Sequence, residues 1–262
     1  MYWSFVPTWS FTHYLARKNK DTTPELLFHA SGPDVHRLDH SIPRFIHNYE
    51  LLANWVRLST LVSTLSYFET YVKKVVTLSL MSDPAVRFGK SRAIEGISWI
   101  KSEMKDDLAP LVTPCLKGDW SSRIKAYKRI FSSAPQSLVK DKCKLDELRV
   151  LRNKVGHSYG RSLKTELLET TIAPMSRLSE ESLKDCLELV FKIAEDIDAQ
   201  LLTGHIGCFE EALYFHNWRN QLKGTQRLDE GKHLRKALAI ELGGRSPDTN
   251  YCQDLAAFYH AC

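Results

Sequence analysis

The feature that most constrains this chain is an apolar stripe that begins at Leu51 and continues through Trp55, Leu58, Val62, Leu65, Val72 and Val76. Its steps alternate between three and four residues and miss one beat, at Glu69. That rhythm belongs to an amphipathic helix with one face turned to a core. A helix that long needs other helices to lie against, and the rest of the chain supplies them. Leu183, Leu187, Val190, Ala194, Ile197 and Leu201 predict a second long helix over about 181–202. Ile94, Ile97 and Ile100 mark a shorter one. Trp120, Ile124, Tyr127 and Phe131 mark another, with Asp119 placed as its N-cap. A further helix runs from about Leu145 into the segment LRNKVGHSYG at 151–160. No run alternates with the period of a strand and no βαβ rhythm appears, so the expected class is all-α, an antiparallel helical bundle.

The bundle is expected over 49–203. Residues 1–48 are broken by Pro7, Pro24, Pro33 and Pro43 and read as an arm of irregular segments and short helices. Residues 204–262 read as a helical extension carrying CFEEALYF, KHLRKALAIELGG and QDLAAFY. A helix-turn-helix in that tail, and with it a DNA- or RNA-binding regulator, is an alternative. Its turn is long and lacks a clear recognition helix.

The net charge of +5 admits a polyanionic partner without demanding one. Cys115, Cys143, Cys186, Cys208, Cys252 and Cys262 are scattered with no C-x-x-C pair, which argues against a disulfide framework or a structural zinc site. The N-terminal MYWSFVPTWSF lacks the basic start of a signal peptide, and no apolar run reaches the roughly 18–20 residues of a membrane span. A cytoplasmic location without a membrane partner is therefore expected. His36 and His40 share a helical face, but a metal needs a third ligand and only His29 and His47 stand near in sequence. Neither a metal nor another cofactor is expected.

The segment LRNKVGHSYG carries the most chemistry. On a helix Leu148, Leu151 and Val155 form one stripe, and Arg152 lies about 40° from Leu148, toward the buried side. An arginine cannot discharge itself, so there it must meet a carboxylate, carbonyls or a ligand anion. Glu69, the carboxylate in the long seam, is the internal candidate, and a phosphate is the external one. His157 would sit about 140° from Arg152 on an unbroken helix. Two routes bring them together. Either Gly156 ends the helix and the chain bends back, or two copies face each other across a two-fold axis. Arginine, amide and imidazole around one anionic centre are the inventory for cutting RNA without a metal. The alternative is a helix C-terminus in which Arg152 makes an internal ion pair and His157 caps the last carbonyls.

Arg152, Asn153 and His157, following an apolar helix, resemble the R-x(4–6)-H signature of HEPN domains. The helix around Glu69, the segment GDWSSRIKAYKRIF and the 181–202 helix resemble the remainder of that bundle, over roughly residues 50–202. The resemblance implies a metal-independent endoribonuclease, with two motifs meeting in a homodimer to form one site. It implies catalytic roles for Arg152 and His157, Asn153 at the polar position after the arginine, and Glu69 as the supporting acid. It implies single-stranded or loop RNA, tRNA included, as substrate, in a bacterial toxin or anti-phage (abortive-infection) role with a possible antitoxin or defence partner. Tyr159 completes R-x4-H-x-Y and resembles a tyrosine that is adenylylated to silence such toxins. Lys154 and Arg161 are candidate phosphate contacts. A HEPN-like module without catalysis, binding a protein or nucleic acid, is the other reading.

Overall fold

The computed structural model describes residues 2–90, 92, 94–104, 107–158, 175–221, 230–241, 243–244 and 247–262. Among the described residues every regular element is helical. In chain order they are α1 (Tyr2–Lys18), α2 (Pro24–Leu27), α3 (Ile42–Ser82), α4 (Gly96–Lys101), α5 (Ala109–Val112), α6 (Trp120–Phe131), α7 (Gln136–Lys140), α8 (Lys142–Ser158), α9 (Glu180–Leu201), α10 (Phe209–Gln221), α11 (Glu230–Glu241) and α12 (Thr249–Ala261). The all-α class read from the periodicity is the class observed. No described helix is long and apolar enough to cross a membrane.

The long stripe becomes α3, which begins at Ile42, ahead of its first periodic residue. Pro43 sits at the second helical position, where a proline's missing N–H costs nothing because that donor has no intrahelical partner. Leu58, Leu65, Val72 and Val76 are buried as the stripe requires. Leu51 and Trp55 are not: they remain 43% and 41% exposed. The buried face at that end is carried instead by Ala53 and Asn54. The N-terminal segment, expected as irregular segments and short helices, opens on a helix longer than that. Tyr2–Lys18 is one 17-residue helix with Pro7 inside it, since the burial of Tyr2 and Ala16 on its inner face outweighs the one hydrogen bond that Pro7 cannot donate.

The chain divides into two compact units, Met1–Tyr67 with Lys144–Phe191 and Phe68–Cys143 with Lys192–Cys262. In the first, the inner face of α1 is tied to α3 through His13, whose Nε2 lies 3.3 Å from Glu50 Oε1. Asn54, also on α3, holds the approach to α9 by its backbone. Its Nδ2 donates to the Ser176 carbonyl at 2.9 Å and its Oδ1 accepts from the Leu178 N–H at 2.9 Å. The amide thus satisfies two main-chain groups at once, as a strand neighbour would.

In the second unit α3 ends at Ser82, where Asp83-Pro84 starts a 3-10 turn. Asp83 is fully buried and is matched on both oxygens: Oδ1 accepts the Arg92 N–H at 2.7 Å and Oδ2 lies 3.0 Å from His205 Nδ1. Ser82 Oγ donates to the His205 carbonyl at 2.7 Å, so the π-helical turn Leu202–Ile206 after α9 is pinned to the end of α3. Beside it α4 starts on Gly96, where a Cβ would stand 2.2 Å from the Met81 carbonyl oxygen and 2.7 Å from Ser82 Cα. Main chain cannot yield as a flexible side chain does. Gly96→Ala should therefore cost at least about 1–3 kcal/mol, the usual penalty of overpacking, and thermal denaturation should show it. An unchanged Tm would mean that α4 does not rest on α3 as described.

Candidate active site

The helix α8 carries the R-x4-H motif within the first unit. Leu145 and Val155 are buried on its inner side. Arg152 and Asn153 are half-buried, and Lys154, Gly156 and His157 are exposed. Arg152 Nη1 donates to Asn153 Oδ1 at 3.2 Å, so the amide holds one edge of the guanidinium in place. An Arg149–Asp146 ion pair at 2.9 Å lies one turn earlier on the same helix.

The bend considered at Gly156 does not occur. The helix runs through Gly156 to Ser158, and Gly156 is absent from the positive-φ glycines of the described chain. Glycine costs a helix interior only about 1 kcal/mol relative to alanine, and Val155, 2% exposed, anchors the turn beside it. On an unbroken helix Arg152 and His157 point about 140° apart and lie about 7.5 Å apart along the axis. Of the two routes to convergence, the one within a single chain is lost. His157 instead joins Cys143, Glu147, Val150 and Lys154 on an exposed stripe of α8, in which Val150 is 56% exposed. Tyr159 and Arg161 lie outside the described residues.

Glu69 belongs to the second unit, and the arginine it meets there is Arg123. The Arg123 Nη1 donates to Glu69 Oε1 at 3.0 Å, with side-chain exposures of 7% and 28%. Arg123 Nε donates to the Gly118 carbonyl at 3.1 Å, and the guanidinium lies 4.8 Å from the centre of the Trp120 ring. Each face of this cation is therefore used by a charge, a carbonyl or a π surface. Sequence reasoning passed over Arg123, although the signal was present. It stands three residues after Trp120 and one before Ile124, inside the stripe of α6, where the argument applied to Arg152 holds equally. Asp119 caps α6 as read, accepting the Ser122 N–H at 2.7 Å.

A different histidine, His216, lines a cavity of about 890 Å³ in the second unit, together with Leu80, Trp99 and Leu213. Burial, aided by the nearby charges of Lys101 and Arg219, lowers the His216 pKa below the ordinary histidine value. Its Nδ1 lies 2.9 Å from Tyr259 Oη and its Nε2 accepts from Asn220 Nδ2 at 3.0 Å. With both nitrogens engaged it is a packing histidine, in contrast to the exposed His157. Among the described residues no three His, Cys, Asp or Glu side chains are grouped to hold a metal ion.

The RiboL-PSP-HEPN family model matches residues 38–203. That range is more than half of the chain and contains both long helices and the motif. The chain is a HEPN protein. HEPN domains bind RNA, often dimerise, and are commonly ribonucleases. No curated protein and no solved structure matches this HEPN chain. The family range begins after α1 and α2 and ends before α10, so both terminal segments fall outside it.

Proposed function

We propose that this HEPN protein is a metal-independent endoribonuclease that cuts single-stranded or loop RNA, tRNA among the candidates, at a site composed by two copies of α8. The observation that carries the reading is Arg152 and His157 on one helix end of a HEPN-family chain, the arginine oriented by Asn153 and the imidazole exposed. Because the helix does not bend at Gly156, a second copy is the route left for arginine and imidazole to share one phosphate. The exposed Val150 between Glu147 and Lys154 gives that copy an apolar point to bury.

The reaction is an internal transesterification. His157 removes the proton of a 2′-hydroxyl, whose oxygen attacks the adjacent phosphorus. The P–O5′ bond breaks, and an imidazolium returns a proton to the departing 5′-oxygen. With two copies present, one imidazole serves as base and the other as acid. Arg152 neutralises charge accumulating on the non-bridging oxygens. The products are a 2′,3′-cyclic phosphate and a 5′-hydroxyl. Lys154, exposed beside the motif, is a phosphate contact, and a phosphate contact or a regulatory role is proposed for Arg161 and Tyr159. Glu69 supports the fold of the domain through Arg123. The biological setting that suits such an activity is a bacterial toxin or anti-phage effector restrained by a partner protein.

The test is cleavage of total RNA by the purified protein in EDTA, with end-group analysis of the fragments. Cyclic phosphate and 5′-hydroxyl ends formed in chelator support the reading. Cleavage that stops in EDTA rejects it, and so does intact RNA at every protein concentration, which would leave a binding module without catalysis.

A further inference from the structure

Helix α1 keeps its aromatic side chains on two faces. Its inner face is packed: Tyr2 and Ala16 are buried, and Trp9 stacks on His13 with ring centres 5.2 Å apart. On the outer face Trp3, Phe11 and Tyr14 are 59%, 63% and 53% exposed. At 100° per residue these three, with Pro7, fall within an arc of about 80° and extend over about 16 Å of helix. Single exposed apolar residues are ordinary, but a row of three large rings on one helix is an apolar patch that needs an occupant.

Within α1 itself the charge has one sign. Residues 1–20 contain no Asp or Glu, while Arg17, Lys18 and Lys20 close the segment. Lys18 Nζ lies 4.6 Å from the Tyr14 ring centre, and Lys184 Nζ, reaching from α9, lies 5.8 Å from that of Trp3. Two nearby carboxylates, Glu50 and Glu180, each face a cation, and Glu181 also acts on Lys184. Glu50 faces His13 and Arg17 at 3.3 and 4.0 Å, and Glu180 faces Lys184 at 2.7 Å. Rings with cations at their sides are what unpaired bases and their phosphates require together, base on ring and phosphate on cation.

We infer that the outer face of α1 is a stacking platform for single-stranded RNA, holding two or three unpaired bases on Trp3, Phe11 and Tyr14. The inference rests on the proposed RNA-cleaving function for its setting, but the platform lies outside the family range and binds without cutting. It is carried on the same compact unit as the α8 motif and so adds grip on the strand beyond the few contacts of a cleavage site.

The experiment compares two outer-face variants with the parent: Trp3→Ala/Phe11→Ala/Tyr14→Ala, and the same three positions changed to Leu. Affinity for a 15-nucleotide single-stranded RNA is read by fluorescence anisotropy in a His157→Ala background, so that nothing is cut. RNA cleavage by the parent protein is measured in parallel. Because each base–ring stack removed by alanine is a substantial loss, both variants should bind at least about 30-fold more weakly, with Tm unchanged and duplex RNA little affected. Leucine keeps the apolar character but offers no ring, so a leucine variant that binds as tightly as the parent overturns the inference. Unchanged affinity in both variants overturns it while leaving cleavage by the parent standing. Lost binding with no cleavage by the parent upholds the platform and removes the nuclease. Binding to anionic phosphatidylserine vesicles that vanishes in the alanine variant, with RNA affinity intact, would make the face a membrane contact. A shift from dimer to monomer with RNA affinity intact would make it a contact between copies. Either result replaces the inference.

Discussion

Replacing His157 with alanine is expected to reduce RNA cleavage by about 10²- to 10⁴-fold, the span that general acid–base catalysis supplies, while leaving the fold untouched. The second half of that expectation follows from burial. His157 is exposed on the last turn of α8, and its loss opens no cavity. The first half follows from chemistry, because His157 is the one imidazole on the described motif and both proton transfers are assigned to it. Arg152→Ala should be comparably inactive for another reason, the loss of charge stabilisation at phosphorus. Its half-buried side chain, bonded to Asn153, makes some loss of stability expected as well. The decisive measurement is therefore His157→Ala cleavage alongside circular dichroism and Tm. Activity within a few fold of the parent, in a protein that melts at the same temperature, would remove His157 from the reaction and with it the proposed mechanism.

The largest effect on stability should come from Arg123. Truncating Arg123 to Met removes its 3.0 Å ion pair with Glu69, whose side chain is 28% exposed, and its bond to the Gly118 carbonyl. Breaking a buried pair from one side costs about 3 kcal/mol or more, which for a chain of this size is roughly 6–12 °C in Tm. Glu69→Leu alone should cost less, because Arg123 keeps the Gly118 carbonyl and the Trp120 ring. Replacing both together should recover much of the loss, since an apolar pair of similar volume escapes the desolvation penalty that the ions carry. A double-mutant cycle measures this directly. Strict additivity of the two single losses would show that Glu69 and Arg123 do not depend on each other.

How much of this was legible in the sequence differs by element. The helices α3, α6, α8 and α9 were readable because each repeats its apolar residues at helical spacing, and α6 also carries a capping aspartate. The exposure of Leu51 and Trp55 was not readable, because a stripe records which residues could be buried, not where neighbouring helices stop. The full length of α1 was not readable for the opposite reason. Pro7 is a local objection to a helix, and what overrules it, the burial of Tyr2 and Ala16, is tertiary. At the candidate site the pairing of Arg152 with Asn153 is local, yet the fate of Gly156 turned on whether the last helical turn is anchored, which Val155 decides. Arg123 and His205 found their carboxylates, Glu69 and Asp83, across 54 and 122 residues of chain. No spacing rule reaches that far.

The unbroken helix through Gly156 also has a kinetic meaning. If the centre is composed of two chains as proposed, it does not exist in a single one, and its output is set by encounters between copies. While most chains are unpaired, doubling their number raises the rate fourfold, and halving it leaves a quarter. On that proposal a stray molecule would be harmless and a burst of synthesis would not. On the same proposal, a bend at that one glycine would have made the response proportional, without a threshold.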